Sequence, residues 1–153
     1  MEYFFPSALI GTKDSYIKID QNKPFALCDP VDTAFKPSCI YELPRLWKQS
    51  EPNFEVLSSR CLSLDNTLDQ QSCYRGLGYA TVDPLLPNPD YSLLLCESTP
   101  DELTELYCLS GATWMYKTID PSNAVTKGLR LFCSKSIDEL SCLRLSDLHL
   151  DQI

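Results

Sequence analysis

The sequence predicts an all-α protein: a short right-handed array of about four disulfide-stapled helix-hairpin repeats. Three observations predict it. Eight cysteines fall into the pairs Cys28/Cys39, Cys61/Cys73, Cys96/Cys108 and Cys133/Cys142, whose first members lie 33, 35 and 37 residues apart. That interval is in the range of αα solenoid units. Apolar residues follow each second cysteine at helical spacing, and acidic-Pro dipeptides recur between the pairs.

Aligning the chain on the second cysteines tests the period. The next residue is Ile40, Tyr74, Leu109 and Leu143, always apolar. Three further on stand Leu43, Leu77, Ala112 and Ser146, and three beyond those Leu46, Ala80, Met115 and His149. Offsets of one, four and seven or eight draw one stripe along a helix, here named helix A. Five residues before the second cysteine lie Ala34, Leu68, Leu103 and Ile137, again all apolar.

Helix A is expected to begin near the second cysteine and to stop at Glu51-Pro52, Asp83-Pro84 and Asp120-Pro121, because proline discourages continuation and suits the start of a new helix. Asp120 as N-cap and Pro121 at the first helical position would open a helix B through PSNAVTKGLRLFC. Its counterparts are NFEVLSSRC and DYSLLLC, with YIKIDQNKPFALC as a weaker first copy shortened at Pro24. Residues 1–24 are thus expected to hold an N-terminal segment and first helix, and 25–153 the repeats, in one domain whose last unit is a capping helix. Gly76, Gly78 and Gly111 fall on helix A, where glycine costs about 1 kcal/mol relative to alanine. They read as points of close helix packing.

Each cysteine pair brackets a short polar link between helices, and closing all four within pairs would staple those links. Each bond would contribute roughly 2–3 kcal/mol by restricting the unfolded chain. Spacing leaves other connectivities open, the chief rival being the twin Cys-x9-Cys hairpin, although no pair here has nine intervening residues. Metal binding is not expected, since no Cys-x2-Cys exists and His149 is the sole histidine.

The segments CYRGLGYATV and CLSGATWMY resemble disulfide-bonded Sel1-like repeats, relatives of tetratricopeptide repeats. The likeness rests on Cys73-Tyr74-Arg75-Gly76 and Cys108-Leu109-Ser110-Gly111, and spans roughly residues 25–150. Glu42 and Leu145 replace the glycine after Cys39 and Cys142. The resemblance implies a peptide- or protein-binding scaffold with no catalytic residues to carry over.

Charge narrows the partners. Residues 1–50 hold six bases and six acids, while residues 51–153 hold seven bases and fifteen acids, so the net charge of −8 sits in the second stretch. An acidic field disfavours nucleic-acid phosphates and anionic membranes. No apolar stretch approaches a membrane span. Even, regular cysteines predict an oxidising compartment: exported (periplasmic, extracellular or envelope-associated), or alternatively the mitochondrial intermembrane space. YFFPSALI is too short for a span and contains Pro6, and with no basic flank and no small-residue cleavage site it is not an intact signal peptide. Met1 is therefore expected to open a trimmed or incomplete precursor.

No catalytic constellation emerges, and neither cofactor nor metal is expected. His149 stands between Asp147 and Asp151 with no nucleophile motif. Gly76-Leu77-Gly78 lacks the third glycine of a dinucleotide loop. Asp101, Glu102, Glu105, Asp138 and Glu139 suit helix N-termini. The aromatic residues of helix A, Trp47, Tyr79, Trp114 and Tyr116, are more suggestive, and Trp47, Trp114 and Tyr116 are the candidate partner-binding residues, with core packing as the competing role. The expected function is a non-enzymatic protein–protein interaction or scaffolding module, an accessory subunit of a larger assembly. The alternatives are a structural subunit of an intermembrane-space complex, or an enzyme or redox protein with a cryptic site.

Overall fold

Short polar side chains set most of the helix starts. Asn53 Oδ1 accepts the amides of Glu55 and Val56, Asn66 Oδ1 those of Leu68 and Asp69, and Asn88 Oδ1 that of Tyr91. Asp101 accepts the amides of Leu103 and Thr104 while Thr104 Oγ1 accepts the Asp101 amide, a reciprocal cap. Asp138 takes the Ser141 amide and hydroxyl, and these bonds hold its carboxyl below the ordinary aspartate range.

A computed structural model describes residues 19–119 and 132–147. Its elements are a 3-10 turn at Ala26–Cys28, then α1 (Lys36–Trp47), α2 (Phe54–Leu62), α3 (Thr67–Thr81), α4 (Pro89–Glu97), α5 (Glu102–Ile119) and α6 (Glu139–Asp147). Phe132 and Cys133 are also helical, and there is no strand among the described residues. The molecule is all-α with four disulfides: Cys28–Cys39, Cys61–Cys73, Cys96–Cys108 and Cys133–Cys142. Cα separations of 5.4 to 5.8 Å are ordinary for such bonds.

The helices begin earlier than the cysteines suggest. Cys39, Cys73, Cys108 and Cys142 lie in the first or second turn of α1, α3, α5 and α6, because the polar caps lie ahead of them. Pro44 consequently falls deep in α1, where it is buried. The expected first helix before Cys28 is reduced, over the described residues, to the single 3-10 turn. Pro24 lacks an amide and pushes Lys23 out of helical geometry, and the Asp20 side chain closes a local turn on the Asn22 amide instead. The cap expected at Asp120-Pro121 lies outside the described residues, as does His149.

The long helices pack in chain order: α1 on α3, α3 on α5, α5 on α6. Each short helix rests on the long helix that follows it, α2 on α3 and α4 on α5, where the disulfide joins them. Contacts between α1 and α3 advance together along both chains: the Tyr41 carbonyl faces Gly76, Arg45 meets Tyr79, and Lys48 meets Ala80. These two helices are therefore parallel. So are α3 and α5, where Arg75 faces Gly111 and Tyr79 faces Trp114.

Glycine fixes how near the long helices come. A Cβ on Gly76 would overlap the Tyr41 carbonyl, one on Gly78 the Cys108 carbonyl, and one on Gly111 the Arg75 carbonyl. The relation recurs: the third residue after the second cysteine sits on a carbonyl two residues after the cysteine of the preceding long helix. The predicted stripe lies beneath, with Ile40, Tyr74, Leu109, Leu43, Leu77 and Ala112 all buried in one continuous core. Two buried threonines bond back to their own helices. Thr81 Oγ1 donates to the Gly78 carbonyl, and Thr113 Oγ1 to that of Leu109. The Tyr74 hydroxyl donates to the Ser58 carbonyl at 3.1 Å, tying α2 to α3.

Candidate functional site: an aromatic strip across the long helices

Trp47, Trp114 and Tyr116 part company in the structure. Trp47 is buried, its Nε1 donating to the Pro24 carbonyl at 3.1 Å. Phe25 meets its ring edge-on at 5.3 Å, and the Arg60 guanidinium lies 5.3 Å from its centroid. Tyr116 is buried against Phe132, ring centroids 5.1 Å apart. Both were candidates for partner binding, and both belong to the core. The reason is legible in the alignment. Each is the eighth residue after its cysteine, on the same helical line as Ile40 and Leu43 or Leu109 and Ala112.

Trp114 is the sixth residue after Cys108, two positions short of that line and so roughly 200° round the helix from Tyr116. It is half-buried. Tyr79 is the sixth residue after Cys73 and Arg45 the sixth after Cys39, so the parallel helices bring Arg45, Tyr79 and Trp114 into one transverse row. Tyr41 fills the space behind them. Ring centroids lie 5.6 Å apart for Tyr41–Tyr79, 5.8 Å for Tyr79–Trp114 and 6.4 Å for Tyr41–Trp114, the last pair edge-on. Such tilted and edge-on pairs are favourable beyond the area they bury.

Cations border the rings. Arg45 lies 5.8 Å from the Tyr79 centroid, donates to its hydroxyl at 3.3 Å, and pairs with Glu42 at 3.5 Å. Burial raises the Glu42 carboxyl above the ordinary glutamate range against the pull of Arg45. Arg75, buried under the row, lies 5.9 Å from the Tyr41 centroid and donates to the Leu145 carbonyl at 2.7 Å. Burial lowers its guanidinium from the ordinary value and raises the Tyr41 hydroxyl. Beside the row, Arg45, Lys48, Tyr79, Ala80, Val82, Pro84 and Met115 line a cleft of about 190 Å³. Within that lining, Lys48 Nζ donates to the Ala80 carbonyl at 2.7 Å.

The arrangement offers flat apolar rings, a shallow cleft and two exposed cations, which is equipment for gripping a side chain. Every cysteine is in a disulfide, and among the described residues no three His, Cys, Asp or Glu side chains gather as a metal site. Sequence reasoning missed Tyr41 and Arg45 as members of the site and noted Tyr79 only among the helix-A aromatic residues. The sixth position shared by Arg45, Tyr79 and Trp114 was the available signal, hidden because Arg45 is not aromatic, and Tyr41, second after Cys39, carries no such mark.

The two tryptophans now have opposite expected roles. Trp47→Ala should lower stability by about 3–5 kcal/mol, the range for truncating a buried aromatic, whereas Trp114→Ala should cost about 1 kcal/mol, the worth of the ring pairing it loses. Urea unfolding followed by circular dichroism measures both, and equal losses would contradict the division.

Four disulfides call for an oxidising compartment, exported or intermembrane. No helix among the described residues is long and apolar enough to cross a membrane. A scan against protein families, a search of curated proteins and a search of solved structures return no match to this chain.

Proposed function

We propose that the protein is a non-enzymatic interaction module, an accessory or scaffolding subunit that holds a segment of a partner protein across the aromatic strip. The observation that carries this reading is the row Arg45–Tyr79–Trp114. Three consecutive long helices present a cation or a half-exposed ring at one level beside an open cleft. Rigid aromatic rings flanked by arginine concentrate binding energy at small entropic cost. The recurring glycine contacts and the stapled links support kinship with disulfide-bonded Sel1-like repeats, whose role is binding. The disulfides support an exported setting, with the intermembrane space as the other oxidising choice.

Photo-crosslinking tests the site directly. A benzophenone amino acid placed at Tyr79, Trp114 or Met115 should form one adduct of constant mass in native extract, and the same group at Val56 on α2 should not. Trp114→Ala and Arg45→Gln should fold and lose that adduct. Equal labelling at Val56, or adducts unaffected by both substitutions, would sink the reading.

A further inference from the structure

The apolar residues five positions ahead of the second cysteines have no place in the core. Leu68 and Leu103 are the second residues of α3 and α5 and are 38% and 52% exposed. Ile137, just before α6, is 64% exposed, and Leu140, its second residue, 65%. Because α3 and α5 are parallel, Leu68 and Leu103 lie along the same edge, where those helices begin, and Ile137 and Leu140 stand at the start of α6, which packs beside α5. Neighbouring helices stand roughly 8–10 Å apart, so the row runs about 20 Å. It is a different surface from the aromatic strip, since Leu103 and Trp114 are separated by about 16 Å of helix.

The edge is strongly acidic. Residues 62–69, 97–105 and 134–140 carry Asp65, Asp69, Glu97, Asp101, Glu102, Glu105, Asp138 and Glu139 against one base, Lys135. Some of this charge serves the helices, since Asp101 and Asp138 are caps. Glu97, Glu102 and Glu105 accept no such bond and crowd one another. Burial first, then Glu97 and Glu102, raise the Glu105 carboxyl above its ordinary range. An approaching cation would relieve that repulsion. The row is also held rigid, because Cys61–Cys73, Cys96–Cys108 and Cys133–Cys142 close the links that carry it.

We propose that this edge docks a cationic amphipathic segment of a partner protein. Its apolar side chains would lie on Leu68, Leu103, Ile137 and Leu140, and its lysines or arginines over the flanking acids. A row of about 20 Å matches roughly 13 residues of helix. The charge argues against a second copy as occupant, because pairing two such edges would set eight acids against eight. It argues equally against an anionic lipid surface.

The test uses the oxidised full chain and a labelled 18-residue Leu/Lys amphipathic helix, with a Ser/Lys peptide of equal charge as control. Fluorescence anisotropy should show saturable binding of the first and at least about tenfold weaker binding of the second, because only the first has apolar anchors. Leu103→Ser with Ile137→Ser should weaken the Leu/Lys peptide about tenfold. Both residues are more than half exposed, so folding should hold. Glu102→Gln with Glu105→Gln should weaken it and flatten its dependence on salt. Trp114→Ala should leave it unchanged, which separates this edge from the aromatic strip. Equal binding of the two peptides, or indifference to both double variants, would overturn the proposal. So would self-association that Leu103→Ser with Ile137→Ser abolishes, which would make the edge a homotypic contact.

Discussion

Gly78→Ala and Gly111→Ala should each destabilise the protein by about 3 kcal/mol, at the upper end of overpacking costs. The side chain added is only a methyl group, and on a free helix it would stabilise by about 1 kcal/mol. Here it meets a carbonyl of the neighbouring helix backbone, Cys108 in one case and Arg75 in the other. A backbone oxygen cannot rotate aside, so α3 and α5 must separate and the packing along both is loosened. The two substitutions force the same separation of α3 from α5. The double variant should therefore lose distinctly less than the sum of the singles, the sign of coupled sites. Urea midpoints across the cycle measure this, and a stabilised Gly78→Ala would show that the interlock does not exist.

The second large effect concerns the disulfides. Full reduction should abolish the cooperative thermal transition, since each bond is worth about 2–5 kcal/mol and a whole domain is stable by only about 5–15 kcal/mol. The order of loss should follow access. Cys39 is half-buried, whereas Cys61, Cys73, Cys96, Cys108, Cys133 and Cys142 are fully buried. Under limiting dithiothreitol the Cys28–Cys39 bond should open first. Timed alkylation with peptide mass mapping reads the sequence of events, and early opening of Cys96–Cys108 would contradict it.

Much of this architecture was legible in the residues because its determinants are local. A disulfide that closes a link of 8 to 11 intervening residues leaves its mark as a spacing. The core stripe and the glycines on it follow from helical geometry alone. Helix starts were less legible: Asn53, Asn66 and Asn88 become caps only when the backbone around them turns. The candidate site was legible in part. Trp114 is half-buried in the row with Tyr79, whereas Trp47 and Tyr116, grouped with it by residue type, hold positions that place them in the core. Tyr41 and Tyr79 join Trp114 only through contacts between helices, and no periodicity within one helix reports those.

Arg75 has one more consequence. In a linear stack each unit normally feels only its immediate neighbours, so an end unit can detach at the cost of a single interface. The Arg75 guanidinium, on α3, reaches the Leu145 carbonyl on α6, seventy residues away and two long helices along. Thus α6 is fastened to α3 as well as to α5. Detaching α6 must part a buried charge from its acceptor. Such a next-nearest tie couples the loss of α6 to the packing of α3, so that the two tend to open together rather than one at a time.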